Sequence, residues 1–161
     1  MNNYVKWSYA DEKISMKEIM ELESVWEVKL PKDYVECATY NHGGSPEPEE
    51  FLVEDRPRVF GCLLSYCKNS PDNILEVYNG IKERLPQNIF PFGCDPAGNY
   101  ICFDYRNSKD NPCIIFWEHE LGVIESDYSE EQLKRIDLKE VQENAIKPIS
   151  SSFKEFLENL F

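Results

Sequence analysis

A chain of 161 residues, 42% apolar and 29% charged, is long enough to bury one core and too apolar to stay disordered. Thirty Asp and Glu against seventeen Lys and Arg leave a formal charge of −13, which repels phosphate backbones and argues against direct nucleic-acid binding. No apolar run reaches the length of a membrane span, and the first residues lack a secretory signal's apolar stretch, so a cytoplasmic protein with no membrane partner is expected.

In chain order, residues 1–14 carry aromatic and charged side chains without periodicity and read as an N-terminal arm. Ser15 and Glu18 form a capping-box pattern, followed by Ile19, Leu22, Val25 and Trp26 at helical spacing, so a first helix is expected to end near Val28. Pro31 is suited to the first residue of a second helix, with Tyr34, Val35 and Ala38 on its inner face and Asn41-His42-Gly43-Gly44 at its exit. Residues 45–50, rich in Pro and Glu, are expected to be an exposed, mobile loop.

Residues 51–53 and 59–64 are short apolar runs suited to strands, with Arg56-Pro57 as turn or edge material between them. Ser70 to Asn73 opens a third helix whose stripe is Ile74, Val77, Tyr78 and Ile81, and Leu85-Pro86 closes it. Strands follow over 89–92, 100–104 and 113–117. Residues 121–130 read as a turn around Gly122 with a short strand through Val123 and Ile124, and the charged stretch 129–147 as partly helical. A second capping box, Ser152 to Glu155, starts an amphipathic helix on Phe153, Phe156, Leu157 and Leu160. The expected fold is a single α+β domain over 1–161: a central, mostly antiparallel (mixed) sheet with an N-terminal helix pair and a C-terminal helix packed around it.

Three ordered blocks resemble the SUKH superfamily of Smi/Knr-type domains. They are Ile19-Met20-Glu21-Leu22-Glu23 with Leu30-Pro31-Lys32-Asp33-Tyr34 and Asn41-His42-Gly43-Gly44; then Pro91-Phe92-Gly93, Asp95, Gly98-Asn99, Phe103-Asp104 and residues 116–120; then Ser152-Phe153-Lys154-Glu155-Phe156-Leu157. His42 departs from the usual Asn-Gly-Gly of that group, and the acidic segment 125–143 matches none of its motifs. The superfamily includes bacterial immunity proteins, the Syd proteins and a domain of a fungal cell-wall synthesis regulator. The resemblance implies an immunity protein that holds a cognate toxin inactive by stoichiometric binding; the alternative is a regulatory scaffold module for an endogenous partner. The −13 charge agrees with a basic, nuclease-type toxin.

No catalytic residues, cofactor or metal are expected. Asp95, Asp104, Glu118, His119 and Glu120 lack a nucleophile or motif around them, and strand ends and turn chemistry explain them. Cys62 and Cys67, with Cys94 or Cys102 and a histidine, are loosely spaced for zinc, so the six cysteines read as reduced core thiols. The candidate partner-binding residues are Glu47 and Glu49 in the 45–50 loop, Asp95 and Asn99 between two strands, Asp104 and Tyr105, and Glu118, His119 and Glu120 at a strand exit. Asp95 and Asn99 are expected to stand exposed while fixing the turn.

Overall fold

The computed structural model describes residues 5–161, so the reading of residues 1–4 as part of an arm lies outside the described residues. Its centre is a five-stranded sheet in the order β5 (Cys62–Leu63), β6 (Ile89–Cys94), β7 (Tyr100–Asp104), β8 (Cys113–Trp117) and β9 (Ile146–Ser150). Every pairing in it is antiparallel, and among the described residues the parallel contribution is a single bridge between Ser65 and Asn73 outside the strands. Successive strand residues point to opposite faces. The pairs Phe90↔Phe103, Ile101↔Phe116 and Phe103↔Ile114 therefore fill one face, and Cys102↔Ile115 fills the other. Both faces are covered, which is why these strands read as unbroken apolar runs.

The larger face carries α1 (Met16–Trp26), α2 (Lys32–Asn41), α3 (Ile74–Ile81) and α6 (Phe153–Glu158). Ile19, Leu22 and Trp26 bury one stripe of α1, while Val25 is 62% exposed, off the stripe on which its spacing had placed it. Glu18 caps α1 by accepting the Ser15 N–H at 2.7 Å. Pro31 is the N-cap of α2 rather than its first residue: its extended ψ of 138° leaves its carbonyl to accept the Val35 N–H. Asn73 caps α3 by accepting the Glu76 N–H at 3.0 Å, and Ser152 caps α6 by accepting that of Glu155 at 3.1 Å. Trp26 stacks on Phe90 at 4.7 Å, Tyr34 meets Phe103 edge-on at 5.1 Å and Phe153 meets Phe92 at 5.6 Å, so the helices are held through aromatic contacts.

The smaller face holds Leu85, Ile89, Cys102, Ile115, Trp117 and Ala145. The acidic segment, which leads into Ala145 of this cluster, forms α4 (Glu130–Leu133) and α5 (Leu138–Glu143) after two short 3₁₀ turns. The strand expected through Val123 and Ile124 is absent: Ile124 instead caps the second of those turns, with its N–H donating to Asp127 at 2.9 Å. Gln142 is buried and donates to the carbonyls of Glu83 and Val123, and Arg84 donates to that of Gly122. The segment's carboxylates face water, its apolar side chains are half-buried, and the Gln142 amide ties it to the rest of the fold.

One ribbon takes the place of part of the expected arm and of the expected mobile loop, and a second contains the expected strand 51–53 and Arg56-Pro57. β1 (Lys6–Ser8) pairs with β2 (Ser45–Glu47), and β3 (Glu50–Val53) pairs with β4 (Arg56–Val59). Pro46 and Pro57 sit in them because a two-stranded ribbon leaves half of each strand's N–H groups unpaired. The run 59–64 is thereby split between β4 and β5, with Phe60 buried at the break. Pro148 belongs to the edge strand β9 for the same reason, and this strand takes in residues 146–147, the end of the stretch 129–147 that reads as partly helical. Residues 50 and 161 exchange backbone hydrogen bonds at 2.9 and 3.0 Å, tying the last residue to β3. Among the described residues no helix is long and apolar enough to cross a membrane.

Candidate functional site

The turn between β6 and β7 is built from its own polar side chains. The Asp95 N–H donates to the Asn99 carbonyl and the Gly98 N–H to that of Asp95, both at 3.0 Å, and the Asp95 carboxylate accepts the Ala97 N–H. Gly98 has φ +90°, a conformation that costs glycine no steric strain. Asn99 Oδ1 accepts the His119 N–H at 3.0 Å and lies 2.7 Å from His119 Nδ1, which therefore carries its proton toward the amide. Asp95 and Asn99 are each 6% exposed, contrary to the expected exposed carboxylate and amide, because the turn folds inward onto these bonds. They shape the surface and the residues around them present it.

What stands out at this end of the sheet is acidic. Glu118 pairs with Arg58 at 3.3 Å, and Arg58 also lies 5.2 Å over the Phe116 ring. The Glu49 carbonyl accepts the Phe60 N–H, the Gly61 N–H reaches the Cys94 carbonyl, and Pro96 packs against Gly61. That chain of contacts brings residues 47–50 beside the 95–99 turn and the exit of β8. Glu47, Glu49, His119 and Glu120 are exposed there, with Lys6 across from Glu47 and Arg58 beneath Glu118 as counter-charges. Five of the nine candidate residues, Glu47, Glu49, Glu118, His119 and Glu120, thus share one rim, and two more form its scaffold.

Asp104 and Tyr105 do not belong to it. They leave the other end of β7, are 5% and 6% exposed, and have internal partners, because a polar group buried there must find its bonds within the chain. The Tyr105 hydroxyl donates to the Lys29 carbonyl at 2.7 Å, and burial pushes its phenol up. Asp104 accepts from Arg106 Nε and Nη2 at 3.0 and 2.9 Å, and Arg106 reaches on to Glu143, which together hold the guanidinium above its ordinary value. Replacing Asp104 by alanine is expected to lower the unfolding free energy by about 1–3 kcal/mol, less than a fully buried pair because Arg106 keeps Glu143 and water. Asp104→Asn, which retains an acceptor, should lose less; urea midpoints at constant m measure both.

His42, Ser65 and Asp11 have the composition of a nucleophilic triad but not its wiring. His42 is 2% exposed; its Nδ1 accepts the Tyr66 N–H at 3.0 Å and its Nε2 donates to the Glu12 carbonyl at 2.6 Å. The Ser65 hydroxyl donates to Asp11 at 2.6 Å. Both ring nitrogens are occupied by backbone, so the imidazole ties Glu12 and Tyr66 to the exit of α2 and has no lone pair for a serine proton. A one-residue departure in the Asn-Gly-Gly motif was its only trace in the sequence. Elsewhere Cys62, Asp72 and Cys94 converge, with the two Sγ atoms 2.7 Å apart. Spacing groups Cys62 with Cys67, which is exposed and lies outside this cluster, and offers Cys94 only as an alternative to Cys102; the cross-strand register selects Cys94.

The family model described as "SMI1 / KNR4 family (SUKH-1)" matches residues 13–159. A prophage-derived uncharacterized protein, YokK of the SPbeta prophage in Bacillus subtilis (strain 168), is 37% identical over 60 residues. That match covers 37% of this chain and 28% of the relative.

Proposed function

This chain belongs to the SMI1/KNR4 family (SUKH-1), and from that premise we propose that it is an immunity protein that neutralises a cognate toxin by stoichiometric binding. It acts in the cytoplasm and by occlusion, without chemistry of its own. The toxin is basic and acts on nucleic acid. The observation that carries this reading is the rim of Glu47, Glu49, Glu118, His119 and Glu120, held by a hydrogen-bonded turn in a chain of charge −13. A pre-formed acidic rim offers a cationic active site the charge of its substrate at little ordering cost.

The test is co-expression with a toxin gene lying beside this one. The expected result is rescue of growth, a complex that survives size exclusion, and an association rate that falls steeply between low and physiological salt. Binding with a salt-independent rate would remove the electrostatic part of the proposal. Absence of any complex with a neighbouring toxin, together with capture of an endogenous regulator, would favour the scaffold reading.

A further inference from the structure

Cys62 and Cys94 lie opposite one another as Cα partners where β5 joins β6, and their sulfurs are 2.7 Å apart. Both are free thiols. β5 is two residues long and pairs with β6 at Cys62↔Cys94 and Leu63↔Gly93, while Leu63 also exchanges backbone hydrogen bonds with Gly43 and Gly44 on its other side. A disulfide places its sulfurs at about 2.05 Å, so closing this gap takes well under an ångström of movement. A tetrahedral zinc ion bound at about 2.3 Å would hold two thiolates roughly 3.8 Å apart, and the pair would have to open to admit it.

We propose that Cys62 and Cys94 form an oxidisable pair, closed to an intramolecular disulfide by a hydroperoxide, which fastens β5 onto β6 beside the acidic rim. Cys94 is the half-exposed member and the attacking sulfur. The hydrogen bond from the Cys62 thiol lowers the Cys94 thiol, while that bond and burial push Cys62 up. The Cys94 thiolate displaces hydroxide from the peroxide O–O bond and becomes a sulfenic acid; hydroxide takes a proton and leaves as water. The Cys62 sulfur then attacks the sulfenic sulfur, its proton joins the departing hydroxide, and a second water forms with the S–S bond. One peroxide is reduced, two thiols are oxidised, and no other reactant enters.

The consequence is local. The Gly61 N–H donates to the Cys94 carbonyl and the Leu64 N–H to that of Phe92, both at 2.8 Å, so these amides report how firmly β5 is held. Cys94 also precedes Asp95, the first residue of the turn under the rim. None of this requires the proposed function, and the test needs no toxin.

The reduced full chain is treated with hydrogen peroxide and followed by intact mass, thiol titration and peptide mapping. The expected product has lost two hydrogens, titrates two thiols fewer than the six of the reduced chain, yields a 62–94 cross-linked peptide, and reverts with dithiothreitol. Hydrogen exchange at residues 61–64 should slow at least several-fold in the oxidised form. Cys67→Ser should leave the cross-link intact, and Cys62→Ser should abolish it; mapping of the wild-type chain decides the matter if that variant does not fold. A cross-link through Cys67, added oxygen with both thiols still alkylatable, or one equivalent of zinc retained by the wild-type chain and lost in Cys62→Ser would each overturn the proposal.

Discussion

Replacing Phe92 by alanine is expected to lower the unfolding free energy by about 3–5 kcal/mol, a large share of the roughly 5–15 kcal/mol that holds a domain of this size. The ring is fully buried and stacks on Phe103 at 4.3 Å. Its edges meet Tyr34 at 5.9 Å, Phe153 at 5.6 Å, Phe156 at 6.2 Å and Phe60 at 6.5 Å. One side chain thus touches α2, α6, β7 and the break between β4 and β5. It can do so because the ladder shifts register between Pro91 and Gly93, leaving Phe92 as the extra residue of a bulge. Gly93 completes the arrangement: a Cβ there would stand 2.7 Å from the Phe60 ring, so no larger residue lets Phe60 approach.

The cavity left by Phe92→Ala would be walled by rings fixed to four different elements, and little collapse is available to reduce the cost. Phe92→Leu, which keeps most of the volume and loses the aromatic pairs, should cost about 1–2 kcal/mol. Phe161, 57% exposed, serves as the control, and Phe161→Ala should stay within about 0.5 kcal/mol since it leaves the backbone bonds to Glu50 in place. Urea midpoints at unchanged m measure all three. A Phe92→Ala loss below about 1 kcal/mol would mean that the bulge relaxes and the core closes over the gap.

The elements legible in the sequence were those whose burial writes itself into a period. Phe90, Phe92, Phe103, Phe116 and Trp117 lie in runs apolar on both sides because the sheet is covered on both faces, and Ile19, Leu22 and Trp26 repeat at helical spacing because one stripe is buried. Asn73 and Ser152 mark their helix starts by satisfying orphan amides, and Glu18 marks that of α1 by accepting the Ser15 N–H, a local need that the chain states locally. What stayed hidden was relational. Pro46, Pro57 and Pro148 look like strand breakers until a missing neighbour makes their lost N–H harmless, and the absence of a neighbour is a tertiary fact. Asp95, Asn99, Asp104 and Tyr105 look exposed by type, but each is buried with partners that lie inside the fold. The acidic segment reads as solvated because most of it is, and what ties it down is the buried amide of Gln142, with Ala145 buried just beyond it.

The same distinction decides which residues to change on the partner side. Asp95 and Asn99 are unsuitable, since losing their hydrogen bonds would alter the turn and its fold together. Glu47, Glu49 and Glu120 are exposed and make no side-chain hydrogen bond or ion pair among the described residues, so their charge can be reversed with little effect on stability. Glu118 is left in place because it balances Arg58. Each Glu→Lys change adds two charges, so the triple variant moves the chain from −13 to −7 and turns the rim from attractive to repulsive. Exposed pairs contribute about 0.2–1 kcal/mol each, and reversal replaces each gain with a comparable penalty. The triple variant should therefore bind the toxin about 10- to 100-fold more weakly, a change of roughly 1.4–2.8 kcal/mol, most of it in the association rate. Surface plasmon resonance at low and high salt separates the terms: the gap between variant and parent should narrow as salt screens the rim. A variant with unchanged association and a salt gap near zero would place the toxin on another face, while weaker binding from faster dissociation alone would mean that these carboxylates are buried in the complex rather than steering it.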